Sequence, residues 1–308
     1  MSAERCSARS LERGDPLAGT ASPAKAFLLL EDAGPWGVKA LRDARLPDGL
    51  GHEILRRCAE ARVRPLLIRR QDPGHFRARA TGSAVPTHRR VFAAYVHPRD
   101  GFVETSSVGD PRAVLDLDLL GLRAGRSVGL DPEPGPVFAV CTQGRHDVCC
   151  AERGRPVAAA LAAVEPEATW QASHLGGDRF AANLLVLDGG LCYGRLDPET
   201  VVSVAETHRA RRVDLDHLRG RAFWPMPVQA AEIALRTELG LLGLDGVELR
   251  TRRRESDTWT STFAAASRRW EVVVRARRSA PVRLTCHADR AQPSLSWDLV
   301  RLSPTPSS

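Results

Sequence analysis

Two segments hold the residue types best suited to chemistry in this chain. They are Cys141-Thr-Gln-Gly-Arg-His-Asp-Val-Cys149-Cys150 and Ser173-His174-Leu-Gly-Gly-Asp178-Arg179-Phe180. Thiolates are soft ligands and imidazole a borderline one, so cysteines paired with a histidine suit an iron–sulfur cluster or zinc. Cys141, Cys149, Cys150 and Cys192 crowd into the middle of the chain, and that clustering calls for an explanation. The other cysteines read differently. Cys6 lies in an N-terminal tail, Cys58 inside a helical pattern and Cys286 at the end of a strand pattern, and all three are expected to be small buried or incidental residues. Cys192 alternates with Tyr193 on a strand and is expected in the core. Asp178 stands beside Arg179, an arrangement that fits a loop ion pair. His52, His75, His88, His97, His208, His217 and His287 have no partner at ligand spacing. Asp116 and Asp118 read as the solvated face of a helix.

The bulk composition narrows the classes. A chain of 308 residues suggests about two domains at about 150 residues each. With 43% apolar residues it has an ordinary globular content. No apolar run approaches the length of a membrane helix, so no membrane partner is expected. The first 24 residues lack an apolar core of the secretory kind, and residues 1–24 read as a disordered tail of a cytoplasmic protein. Seven cysteines, an odd number, argue against a disulfide framework. The formal charge of +7 is carried almost wholly by arginine, since lysine occurs only at Lys25 and Lys39. The arginines are scattered, and only Trp259 and Trp270 accompany a basic run in the C-terminal half. We therefore expect no nucleic-acid partner. The basic faces suit electrostatic steering of an acidic redox partner.

Periodicity supplies the elements that must position the motifs. Lys25 to Glu31 reads as a buried strand, followed by the turn Gly34-Pro35-Trp36-Gly37, a short helix over 38–44 and a second over 51–61. Strands are expected at 63–68, 91–96 and 102–108, a long loop over 71–87, and a helix over 111–122. After Asp131-Pro-Glu-Pro-Gly-Pro136 the pattern restarts. A strand over 137–140 leads into the cysteine loop, and then come a helix over 155–164, strands at 169–172, 183–187 and 191–196, and a helix over 198–210 opened by Asp197-Pro198. This β-α-β-β-α order matches a thioredoxin-like arrangement, and residues 25–130 read as a degenerate copy of the same unit. The predicted class is α/β, α+β overall. The divisions are a half at 25–130, a domain at 131–212, and a small α+β appendage at 213–308 with a helix over 228–241 and strands at 247–252, 258–265, 270–276 and 282–287.

Cys-Thr-x-Gly-x-x-Asp-x-x-Cys followed by His-x-Gly-Gly-x-x-Phe-Ala resembles the sucrase/ferredoxin-like family of thioredoxin-fold ferredoxins. The resemblance spans about residues 24 to 210 and takes in the Gly34-Pro35-Trp36-Gly37 turn and the Asp188-Gly189-Gly190 hairpin with Tyr193-Gly-Arg195. It implies a [2Fe–2S] cluster held by two cysteines and by two histidines in the pattern His-x-x-x-His. Carried over, this gives Cys141, Cys150 and His174. The fourth position holds Asp178 instead of histidine, Gln143 stands where the family often has histidine, and His146 where it often has arginine. Either Asp178 coordinates, or Cys149 or His146 substitutes, or no stable cluster forms. Gly144, Gly176 and Gly177 are expected to allow the positive φ of a cluster-wrapping loop.

Three functions follow from this reading. The first is a cytoplasmic single-electron carrier with a [2Fe–2S] cluster and a redox partner protein, and it is the expectation adopted. The second is an enzyme, a thiol oxidoreductase at Cys149 and Cys150 or a hydrolase, for which no Cys-x-x-Cys or Gly-x-Ser-x-Gly motif is present. The third is a cluster-free binding module.

Overall fold

The computed structural model describes residues 5–71 and 88–305. Its architecture follows from two apolar strands, β1 (Ala26–Glu31) and β6 (Phe138–Cys141), which are buried on both faces. A strand buried on both faces must be central and covered on each side. Around β1 the chain adds the short helix α2 (Ala40–Asp43), α3 (Leu50–Ala61) and the parallel strand β2 (Arg64–Arg69). It then adds β3 (Arg89–Tyr95) antiparallel on the other side of β1, β4 (Phe102–Val108) and α4 (Leu119–Arg123). Around β6 the same sequence of moves recurs. Helix α5 (Val148–Val164) leads to the parallel strand β7 (Thr169–Ala172), then β8 (Leu184–Val186) runs antiparallel to β6, β9 (Leu191–Tyr193) pairs with β8, and α6 (Pro198–Arg209) follows.

Each half thus arranges four strands in the same order with the same pairing senses. The halves meet where β2 and β7 pair antiparallel, Ile68 opposite Ala172 and Arg69 opposite Gln171. With β5 (Asp131–Pro132) and β10 (Leu218–Arg221) at its ends, the sheet has ten strands in the order β10-β9-β8-β6-β7-β2-β1-β3-β4-β5. Strand side chains alternate faces. Phe27 and Leu29 join Trp170, Ala172, Ala139 and Cys141 in one core shared by both halves. Ala26, Leu28 and Leu30 face the core under α3, whereas Phe138 and Val140 face the core under α5 and α6.

The remainder of the chain builds α7 (Met226–Leu239) and an antiparallel sheet of β11 (Val247–Glu255), β12 (Thr258–Ala265), β13 (Arg268–Val282) and β14 (Gln292–Pro304). Val228, Ala231 and Leu235 of α7 pack against Phe263, Val272 and Val274 of that sheet.

Several expectations are corrected. Residues 5–24 are not a disordered tail. Helix α1 (Cys6–Glu12) buries Cys6, Ser7 and Ser10, and Ala24 bonds to Ala222 through its backbone. The helix expected over 111–122 breaks at Leu117, which takes extended dihedrals between a 3-10 turn (Pro111–Asp116) and α4. Its break lets Asp118 cap α4 by accepting from the Gly121 amide at 2.8 Å. The chain after residue 213 returns first to the large sheet as β10, paired with β9, before the smaller sheet begins. The strand expected at 282–287 is a turn at Cys286, and the last strand is β14, which carries Leu295, Trp297 and Leu299 at alternate positions and for which no element was expected. The loop expected over 71–87 lies, but for Gln71, outside the described residues.

Candidate metal centre

Cys141 is the last residue of β6, and Cys150 lies in the first turn of α5. The expected cysteine loop is therefore short. Helix α5 starts at Val148, well before the predicted 155, because the Asp147 carboxylate caps it by accepting from the Cys149 amide at 2.9 Å. Gly154 lets that helix lie directly on the strand end, since a Cβ there would meet the Cys141 carbonyl oxygen at 2.0 Å. Successive helical residues point about 100° apart, so the adjacent cysteines diverge. Cys150 turns toward Cys141 and the Asp178 carboxylate, its Sγ donating to Oδ1 at 3.2 Å. Cys149 turns toward Cys6 and Cys286.

His174 enters from the loop after β7. Ser173 holds the start of this loop, its amide donating to the Leu67 carbonyl at 2.8 Å and its Oγ accepting from the Leu67 amide at 3.0 Å. Gly176 and Gly177 both adopt positive φ, +87° and +82°, and reverse the chain so that Asp178 faces back toward His174. Gly144 does not adopt a positive φ, contrary to expectation. The role of Gln143, unforeseen in the sequence, is to clamp three loops. Its Oε1 accepts from the His174 amide at 2.8 Å, and its Nε2 donates to the carbonyls of Gly37 and Val38 at 2.7 and 3.1 Å. The Gly34-Pro35-Trp36-Gly37 turn thus supplies backbone acceptors to the site. Beneath the loop, Arg219 donates to the Gly176 carbonyl at 2.9 Å and to Asn183 Oδ1 at 2.7 Å, and Arg64 donates to the His174 carbonyl at 3.1 Å.

The ligand atoms of Cys141, Cys150 and His174 all lie within 4.8 Å of one another, and so do those of His146, His174 and Asp178. The His146 and His174 rings stack with centroids 3.7 Å apart. Asp178 is 4% exposed, with Oδ1 3.0 Å from His174 Nδ1 and Oδ2 3.9 Å from His146 Nε2. The His174 Nδ1 sits at ion-pair distance from Asp178 without a well-aligned hydrogen bond, a buried nitrogen left open to a ligand role. Among the described residues, the thiolate side of this group is buried and the imidazole side reaches solvent. The two histidine side chains, 35% and 26% exposed, line a cleft of about 520 Å³ together with Val38, Lys39 and Arg42. Cys192 takes no part and packs at the edge of the shared core.

The electrostatics of the metal-free group are those of a buried ion cluster. The Cys150 thiol donates to Cys141 and, against the cost of burial and with help from His174, holds the Cys141 thiol well below its ordinary range. The same contact, with burial and Asp178, pushes Cys150 up. Burial alone would lower His174, but Asp178 and Cys141 outweigh it and raise the imidazole to about 9. Metal-free protein should therefore show one imidazole, absent in His174→Gln, titrating near 9 and not near its usual 6.5. Because the folded state holds that proton more tightly than the unfolded chain, its contribution to stability is full below about 6.5 and is lost as pH rises through about 9. Proton NMR titration checks this; a midpoint near 6.5 would contradict the His174–Asp178–Cys141 contacts.

Two soft thiolates, imidazole nitrogens and one carboxylate are chemically competent to hold a metal centre, with an imidazole edge facing solvent. Among the described residues no helix is long and apolar enough to cross a membrane. No curated protein and no solved structure matches the chain. A family model described as sucrase/ferredoxin-like matches residues 17–220, a span that includes the whole cysteine–histidine centre and nine of the ten strands of the large sheet, and β10 up to Gly220. With two thirds of its length under that match, the chain belongs to the sucrase/ferredoxin-like family.

Proposed function

We propose that this protein is a thioredoxin-like ferredoxin that carries single electrons between cytoplasmic proteins through a [2Fe–2S] cluster. Cys141, Cys150, His174 and Asp178 would hold the cluster. The observation that carries the reading is the convergence of two thiols and an imidazole within 4.8 Å on one end of a family-matched sheet. The repeated strand order of the two halves supports a thioredoxin-like unit in each. A bound [2Fe–2S] cluster supplies one-electron oxidation and reduction.

The chain's own residues would do the rest. Gln143 fixes the spacing of the two ligand loops by accepting from the His174 amide. Burial of Cys141 and Cys150 excludes water from the sulfur side. The solvent-facing imidazole edge, with Lys39 and Arg42 at the mouth of its cleft, is the route by which an acidic redox partner would approach. His146 is the competing candidate for the fourth position, because its ring stacks on His174 and faces Asp178.

Anaerobically purified protein should be red-brown and contain about two irons and two labile sulfides per chain. Asp178→Ala should shorten the lifetime of the cluster, and Asp178→His should raise its potential by replacing an anionic oxygen with a neutral imidazole. If His146→Ala labilises the cluster while Asp178→Ala leaves spectrum and potential unchanged, His146 is the fourth ligand. Colourless protein that stays iron-free after reconstitution with iron and sulfide would refute the ferredoxin reading and favour a cluster-free binding module.

A further inference from the structure

A second group of metal-type side chains sits back to back with the first. Cys6 opens α1, Cys149 lies in the first turn of α5, and Cys286 occupies the turn between β13 and β14, so the three thiols come from the first, middle and last parts of the chain. Cys149 Sγ lies 3.6 Å from Cys6 Sγ and 3.4 Å from Cys286 Sγ. Both oxygens of Asp147 lie 3.8 Å from Cys6 Sγ, and the ligand atoms of all four residues fall within 4.8 Å of one another. Cys6, Cys149 and Asp147 are buried.

We propose that Cys6, Cys149, Cys286 and Asp147 form a zinc site, separate from the Cys141–Cys150–His174 centre. Zinc takes four ligands in a tetrahedron, with Zn–S of about 2.3 Å and Zn–O of about 2.0–2.2 Å. Across a tetrahedral angle those bond lengths place sulfurs about 3.8 Å apart and a sulfur and an oxygen about 3.5 Å apart. The observed separations are close to both values. The set is also supported in a way that fits a metal site. The Asp147 oxygens accept from the amides of Cys149 at 2.9 Å and Cys286 at 2.7 Å, which fixes the carboxylate between the two thiols. Ser7 Oγ donates to Cys149 Sγ at 3.3 Å, and the Cys6 amide reaches Cys286 Sγ at 3.5 Å. These are donors to sulfur as acceptor. Three thiolates and a carboxylate carry more negative charge than one Zn²⁺ balances. Arg5, bound to Glu152 at 2.8 Å, lies near enough to interact with Cys149 and Cys286.

The site would tie two distant segments, those of Cys6 and Cys286, to the N-terminus of α5, whose next residue, Cys150, belongs to the other centre. Its function is structural. All four positions are occupied by protein, which leaves no open coordination site for catalysis. It holds whether or not the first centre carries an iron–sulfur cluster.

Full-length protein expressed with zinc in the medium should contain about one zinc per chain by elemental analysis. Cobalt substituted for that zinc should give thiolate-to-metal charge transfer and tetrahedral d–d bands. Cys6→Ser and Cys286→Ser should each lower zinc by at least about fivefold without changing iron, and Cys141→Ser should leave zinc in place. Removing zinc with a chelator should lower the melting temperature of the wild type, a reading that needs no variant. Three results would overturn the site: wild-type protein free of zinc and of tetrahedral cobalt bands, a Cys149 disulfide to Cys6 or Cys286 in the freshly purified protein, or zinc that disappears with Cys141→Ser.

Discussion

Cys150→Ser protein is expected to lose the iron centre, with iron content and visible absorption falling by more than about tenfold, while Cys149→Ser keeps both. The two residues are neighbours in the chain, so composition and local charge are nearly the same for either substitution. Their surroundings differ. Cys150 Sγ faces Asp178 at 3.2 Å and shares a 4.8 Å neighbourhood with Cys141 and His174, whereas Cys149 Sγ faces Cys6 and Cys286. Cys141→Ser should behave as Cys150→Ser does. Cys192→Ser should keep full iron, since that side chain packs at the edge of the shared core, with Sγ 3.9 Å from the Gly190 carbonyl, and lies outside the Cys141–Cys150–His174 group. Iron and sulfide analysis of the four variants, side by side after anaerobic purification, decides it. Iron loss in Cys149→Ser with retention in Cys150→Ser would reverse the assignment of the two cysteines.

Glu232→Gln is expected to destabilise the fold by about 3–5 kcal/mol. Glu232 lies on α7 between two guanidinium groups that are themselves almost wholly buried, Arg221 at 1% and Arg236 at 0% exposure. Its Oε1 accepts from Arg221 Nε at 3.1 Å and from Arg236 Nε at 2.9 Å. Burial would push this carboxyl up, and the two arginines outweigh that and hold it below its usual range. The remaining guanidinium donors reach the carbonyls of Gly189, Leu241, Gly243 and Leu244. The network therefore joins β10 of the large sheet to α7, against which the smaller sheet packs. Glutamine keeps the size but leaves two buried cations without a counter-charge. A fall in melting temperature of about 5–15 °C should follow. Glu271→Gln, which breaks a pair with the exposed Arg301 side chain, should change stability by no more than about 1 kcal/mol. A Glu232→Gln melting temperature within a degree or two of wild type would show that the buried charges are relieved in some other way.

The sequence by itself determined the parts that depend on near neighbours. Apolar runs such as Phe27 to Leu30 and Val137 to Val140 marked the central strands, because a strand buried on both faces has nowhere to place polar residues. Asp197-Pro198 marked the start of α6, because a cap and its first turn are local. The motifs around Cys141, Cys150 and His174 pointed to one site, and the structure brings those three side chains together. Tertiary structure alone decided what depends on residues far apart in the chain. It turned Cys149 and Cys150 to opposite sides, since direction around a helix follows from where the helix begins, and Asp147 sets that start. It gathered Cys6 and Cys286, each ordinary in its own segment, onto Cys149. It set His146 beside His174 and Asp178 and gave Gln143 its three-loop clamp. Periodicity reports which face of an element is buried, but it carries no record of which distant segment covers that face.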